Sequence, residues 1–112
     1  MTDREMLELA ARAAGLKEFT EINGRFAVRT RFTGMQDWSP WNPLTDDGDA
    51  LRLAVKLNIE FACFDDSQKV NAGVWSEDSK PYDCMAPYNG DKQAATRRAI
   101  VRAAAEIGKT MP

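Results

Sequence analysis

The amino-acid sequence predicts an α+β fold: an antiparallel sheet built from hairpins, packed between or against three α-helices as a layered sandwich. Three observations carry this. Apolar residues recur at helical spacing near the start, in the middle and at the end of the chain. Asn23-Gly24 separates two strand-like runs. A second pair of runs, Ile59–Phe64 and Gln68–Trp75, flanks the turn-forming Asp65-Asp66-Ser67. At 112 residues the chain has the size of one domain, so 1–112 is read as a single unit.

The first helix starts at Thr2 or Asp3. Leu7, Ala10, Ala11 and Ala14 fall at i, i+3, i+4, i+7, and Met6, Leu9 and Ala13 widen that face. Gly15 is placed to end it in the left-handed conformation. Asn-Gly at 23–24 then predicts a type I′ hairpin, because both central positions of that turn need positive φ. Phe26 and Val28 alternate with Arg25, Ala27 and Arg29, so one face of the second strand is expected inside. Residues 31–37 show no clean period.

The segment from Trp38 to Leu57 reads as the organising stretch. Pro40 and Pro43 hold it extended, with Trp38 and Trp41 pinned to a rigid lead-in. Thr45 is the expected N-cap, and Asp46, Asp47 and Asp49 suit the positive end of a helix. From Ala50 to Leu57 only Arg52 and Lys56 interrupt an apolar run, with Asp49 one turn back as a partner for Arg52. So thin a polar stripe predicts a central helix covered on more than one side. Asn58 ends it. After the second hairpin, 81–87 is expected as a short edge strand because its prolines lack a donor. The last helix runs from Lys92 to Ile107, capped by Asp91 or Asn89 and ended by Gly108. Ile100, Ala103, Ala104, Ile107 and Met111 are its expected buried face.

Composition excludes more than it specifies. The chain has no histidine, which removes Ser-His-Asp and Cys-His catalysis and the commonest metal ligand. Cys63 and Cys84 are too few for a disulfide framework and read as reduced thiols. Asp83 beside Cys84 opposes thiolate formation. No Gly-rich phosphate loop, metal-ligand spacing or nucleophile motif is present, so no cofactor, no metal and no enzymatic activity are expected. No apolar run is long enough to span a bilayer, so no membrane association is expected. The charged N-terminus is unlike a signal peptide, and a cytoplasmic location follows.

Two groups of residues are candidate sites. Trp38, Trp41 and Trp75 could form an aromatic surface for a protein partner, since indoles on a Pro-stiffened loop lose little entropy on binding. The simpler use of these rings is burial over a sheet. Arg97, Arg98 and Arg102, with Lys92 and Lys109, give the last helix a basic side that could meet phosphates. A solvated face with local ion pairs is the simpler explanation of them. The net charge of −2 disfavours nucleic acid as the main partner. The acidic cluster at 46–49 lacks a calcium-loop pattern and needs no ligand beyond the helix end it precedes. Self-association through alanine-rich helix faces or an edge strand, giving a homodimer, is a further route.

Trp41-Asn-Pro-Leu-Thr-Asp-Asp-Gly-Asp-Ala-Leu-Arg-Leu-Ala-Val-Lys-Leu57 resembles a recurring segment of small tailed-phage and prophage proteins. Ala95-Thr-Arg-Arg-Ala-Ile-Val-Arg-Ala-Ala-Ala-Glu-Ile-Gly108 and Met1-Thr-Asp-Arg-Glu-Met-Leu-Glu-Leu-Ala-Ala11 are similar to their C- and N-terminal segments. The family is the phage "ABA sandwich" domain, a sheet between helices. The likeness covers under half the chain and leaves out both hairpins. It implies that fold and a phage or prophage origin, and it implies no activity. The expectation is a non-enzymatic accessory protein of bacterial-host cytoplasm that acts by binding a protein of the host or the phage.

Overall fold

The computed structural model describes residues 2–16, 18–29, 38–74 and 84–111. In chain order these form α1 (Asp3–Ala13), β1 (Glu18–Ile22), β2 (Arg25–Arg29), β3 (Ser39–Pro40), α2 (Asp47–Leu57), β4 (Ile59–Phe64), β5 (Lys69–Val74), β6 (Cys84–Pro87) and α3 (Lys92–Thr110). The fold is α+β, with two three-stranded antiparallel sheets, β1-β2-β3 and β4-β5-β6, rather than one.

Local chemistry sets the boundaries. Thr2 Oγ1 accepts from the Glu5 amide at 3.1 Å and starts α1. Gly15 ends it at φ +76, and the amides of Leu16 and Gly15 donate to the Ala11 and Arg12 carbonyls. Asn23 and Gly24 both take positive φ, which sets Ile22 opposite Arg25. Asp46, not Thr45, caps α2, because its carboxylate reaches the Asp49 amide at 2.8 Å. Asn58 ends α2 in the left-handed conformation. Asp91 caps α3 through the Ala94 amide at 2.9 Å.

Four expectations are corrected. The Trp-Pro lead-in is not a free loop: Ser39 and Pro40 pair with Val28 and Ala27 as the edge of the first sheet. The central helix is α3, not α2. Eight residues of α3 are buried, whereas α2 buries Ala50, Leu53 and Ala54 and leaves Val55 70% exposed. The reason is size: the alanines of α3 let neighbours approach closely on more than one side. Gly108 does not stop α3, which runs on to Thr110. It is buried where α1 crosses, and a Cβ there would intrude on the Leu9 carbonyl. Met111 lies exposed, although Ile100, Ala103 and Ala104 are buried as expected.

The layers follow. One face of β4-β5-β6 carries Val70, Ala72 and Ala86, all buried, and α3 lies on it. α1 packs along α3 in the most extensive helix contact of the fold. The two helices run parallel, because Asp3 meets Arg98, Leu9 meets Gly108, and Arg12 reaches the Met111 carbonyl. α2 lies beside α3, next to the start of β4. The opposite face of this sheet, with Phe64 and Met85, is about half exposed.

Candidate functional site

The tryptophans come first. Antiparallel register places Trp41 across from Phe26, and the Trp41 amide donates to the Phe26 carbonyl at 3.0 Å. Its indole meets Phe19 edge-on at 6.3 Å, and Phe19 stacks on Phe26 at 5.5 Å. These three rings join the core from the inner face of the first sheet. Trp38 is an odd number of positions away, so it lies on the other face. There the Arg29 guanidinium sits 4.2 Å from its ring, with Glu18 3.3 Å from Arg29. Trp38 and Trp41 therefore do not share one surface. Trp75 lies outside the described residues.

The arginines of α3 point to three different neighbours. Arg97 donates Nε to the Leu44 carbonyl at 2.8 Å and pairs with Asp47 at 2.6 Å, clamping the N-terminus of α2. Arg98 pairs with Asp3 at 3.3 Å, and Arg102 donates to the Met85 carbonyl of β6 at 3.0 Å. Lys92 and Lys109 pair with Asp65 and Glu106. Each of these cations already has an intramolecular partner. The acidic cluster is likewise engaged: Asp46 caps, Asp47 holds Arg97, and Asp49 accepts from the Asn42 amide at 2.9 Å and from Arg52 at 2.6 Å. Among the described residues no group of three or more acids or thiols is placed to hold a metal.

One cluster was not foreseen, because its members lie far apart in the chain. The Tyr88 hydroxyl donates to Asp65 Oδ1 at 2.8 Å, and the Lys92 ammonium sits 3.0 Å from the same oxygen. Burial, then the Asp65 carboxylate, pushes the Tyr88 phenol well above its ordinary pKa. The bond from Tyr88, then Lys92, holds Asp65 below the carboxylate range. A phenol kept protonated and a carboxylate kept ionised make a structural pin between the β4–β5 turn and the start of α3. They do not make an acid–base pair poised near neutrality.

The surface with unmet potential lies along α2 and β4. Leu51 and Val55, one turn apart, are 58% and 70% exposed. Beside them Phe61 of β4 is 46% exposed at the floor of a cleft of about 400 Å³ between α2 and α3. Ala50 and Ile100 line its walls, and the Asp47–Arg97 pair stands at its rim. Every residue of β4 after Ile59 is exposed. Sequence reasoning missed this surface: an apolar run such as Ile-Glu-Phe-Ala-Cys-Phe normally marks a strand buried on both faces.

Comparison with protein-family models, with curated proteins and with solved structures finds no match. No helix among the described residues is long and apolar enough to cross a membrane.

Proposed function

We propose that this chain is a non-enzymatic binding domain that recognises another polypeptide, and that it belongs to the phage or prophage accessory proteins its sequence resembles, acting in the cytoplasm of a bacterial host. The observation that carries the binding reading is the exposed apolar strip of Leu51, Val55 and Phe61 on α2 and β4. Exposed apolar side chains gathered on one side of a small fold mark an interaction surface. The tryptophan pair supports it less, since Trp41 belongs to the core and Trp38 is faced by Arg29. The basic side of α3 gives nucleic acid little support, because its cations are spent on internal partners.

The test places a photo-crosslinking amino acid at Leu51 or Val55, with Lys109 as a distant exposed control, in the protein's native host. Discrete adducts from 51 and 55 and none from 109 are expected. Their absence from both positions would overturn the reading.

A further inference from the structure

The geometry points to a second copy of this chain as the polypeptide that docks on β4. Two copies pair β4 against β4, antiparallel about a twofold axis, and join their sheets into one of six strands. The inference rests on the binding reading above and names its partner.

An edge strand offers unpaired N–H and C=O groups, and proteins blunt such edges by shortness, proline or charge. Three of the four edges here are blunted. β3 has two residues and ends in Pro40. β6 has four and ends in Pro87. β1 carries Glu18 and Glu21 among its five. β4 is different: six residues, no proline, and Glu60 as its one charge. Among the described residues no strand pairs with its outer side.

A copy fits because the edge complements itself. A twofold axis through Ala62 sets Ala62 opposite Ala62 of the second copy, Phe61 opposite Cys63, and Glu60 opposite Phe64. Directly opposed residues share a face, so both Phe61 rings come together on the α3 side of the joined sheet. Glu60 meets a ring and not its own charge. The same operation turns the Leu51–Val55 flank of α2 toward its equivalent and roofs the Phe61 cleft. An isologous interface requires a patch to accept itself, and an apolar patch with one well-placed charge does so. A strongly charged partner would find no complement here.

The size sets the strength. The edge is about 20 Å long, and sheet plus helix layer is about 20 Å high. That is a footprint of about 400 Å² per copy, or about 800 Å² in total, below the roughly 1,200 Å² at which stable specific interfaces begin and in the range of weak, transient association. The dimer is therefore a weak one, populated only at high protein concentration.

Sedimentation equilibrium of the intact chain from about 1 to about 300 μM reads this directly. Wild type is expected to pass from monomer to dimer. Val55→Glu, on an exposed position that folding does not need, is expected to weaken the dimer at least about tenfold. In a Cys63→Ser/Cys84→Ser background, Ala62→Cys is expected to give a covalent dimer on oxidation, since opposed Cα atoms in such a ladder lie within disulfide reach. A monomer throughout, with unchanged circular dichroism, overturns the inference, as does a dimer indifferent to Val55→Glu. If the chain is monomeric but crosslinks from Val55 to a different protein, the dimer falls and the binding reading stands. If it is monomeric and crosslinks to nothing, both fall.

Discussion

Gly108 has no side chain because Leu9 occupies the place one would take. A Cβ at 108 would press on the Leu9 carbonyl, and backbone cannot step aside as a flexible side chain can. Gly108→Ala should therefore cost about 2 kcal/mol or more despite the better helix propensity of alanine. Gly15→Ala, at φ +76 in open space, should cost about 1 kcal/mol from backbone strain alone. Urea unfolding of both checks the order, and a neutral Gly108→Ala would contradict the crossing. A second residue-scale outcome concerns Tyr88. Its raised pKa means that the stability it contributes is present below about pH 10, the unfolded value, and is lost as pH rises through the folded one. Asp65 is lowered, so its share is present above about pH 4 and is lost as pH falls through the folded value. In Tyr82→Phe the remaining phenol should ionise above free tyrosine, and Asp65→Asn should bring it back toward the ordinary value. Phenolate absorbance against pH measures both, and an ordinary midpoint before the Asp65 change would sink the pin. Apart from the left-handed Gly15, none of this was readable in the sequence. Glycine at 108 resembles a helix stop, and Asp65, Tyr88 and Lys92 meet only after β6 has closed onto β5.

At the scale of elements, helix starts and turns were legible and helix burial was not. Caps and Asn-Gly turns are local chemistry, so Thr2, Gly15, Asn23-Gly24, Asn58 and Asp91 do what their residue types dictate. Apolar count is a poorer guide to burial. α2 has more large apolar residues than α3, yet α3 is central because its small residues admit neighbours on several sides. The Arg97 clamp is an element-scale device that the sequence presented as surface charge. Its side chain is 16% exposed and bonds both the approach to α2 and its first residue. Arg97→Ala should cost about 1 to 2 kcal/mol, since it strands the part-buried Leu44 carbonyl, whereas the exposed Asp47 carboxylate returns to water. Arg98→Ala breaks an exposed pair and should change stability by less than about 0.5 kcal/mol. Equal effects of the two substitutions in chemical denaturation would show that Arg97 is not a clamp. Asp46→Ala removes the α2 cap and should cost about 1 kcal/mol in the same assay.

For the whole molecule, the α+β class was readable because two periodicities alternate along the chain. The division into two sheets was not, since register and partner choice depend on contacts between distant residues. The division has a dynamic consequence. α3 supports β4-β5-β6, α1 and α2 together, whereas the first sheet touches the helices over a much smaller area. Native-state hydrogen exchange should find α3 amides opening only with global unfolding and β1–β2 amides opening at lower free energy. Uniform protection across both would mean one cooperative unit.

The parallel seating of α1 on α3 bears on how the chain is made. α1 is synthesised well before α3, so its supporting surface leaves the ribosome only after α2 and β1 to β6. Until α3 emerges, α1 has lost nothing by staying unfolded, and the inner face of the second sheet has no cover. Acquisition of structure should therefore be abrupt and late on the ribosome, and nascent chains stalled before residue 92 should be substrates for chaperones and proteases rather than half-built versions of the fold.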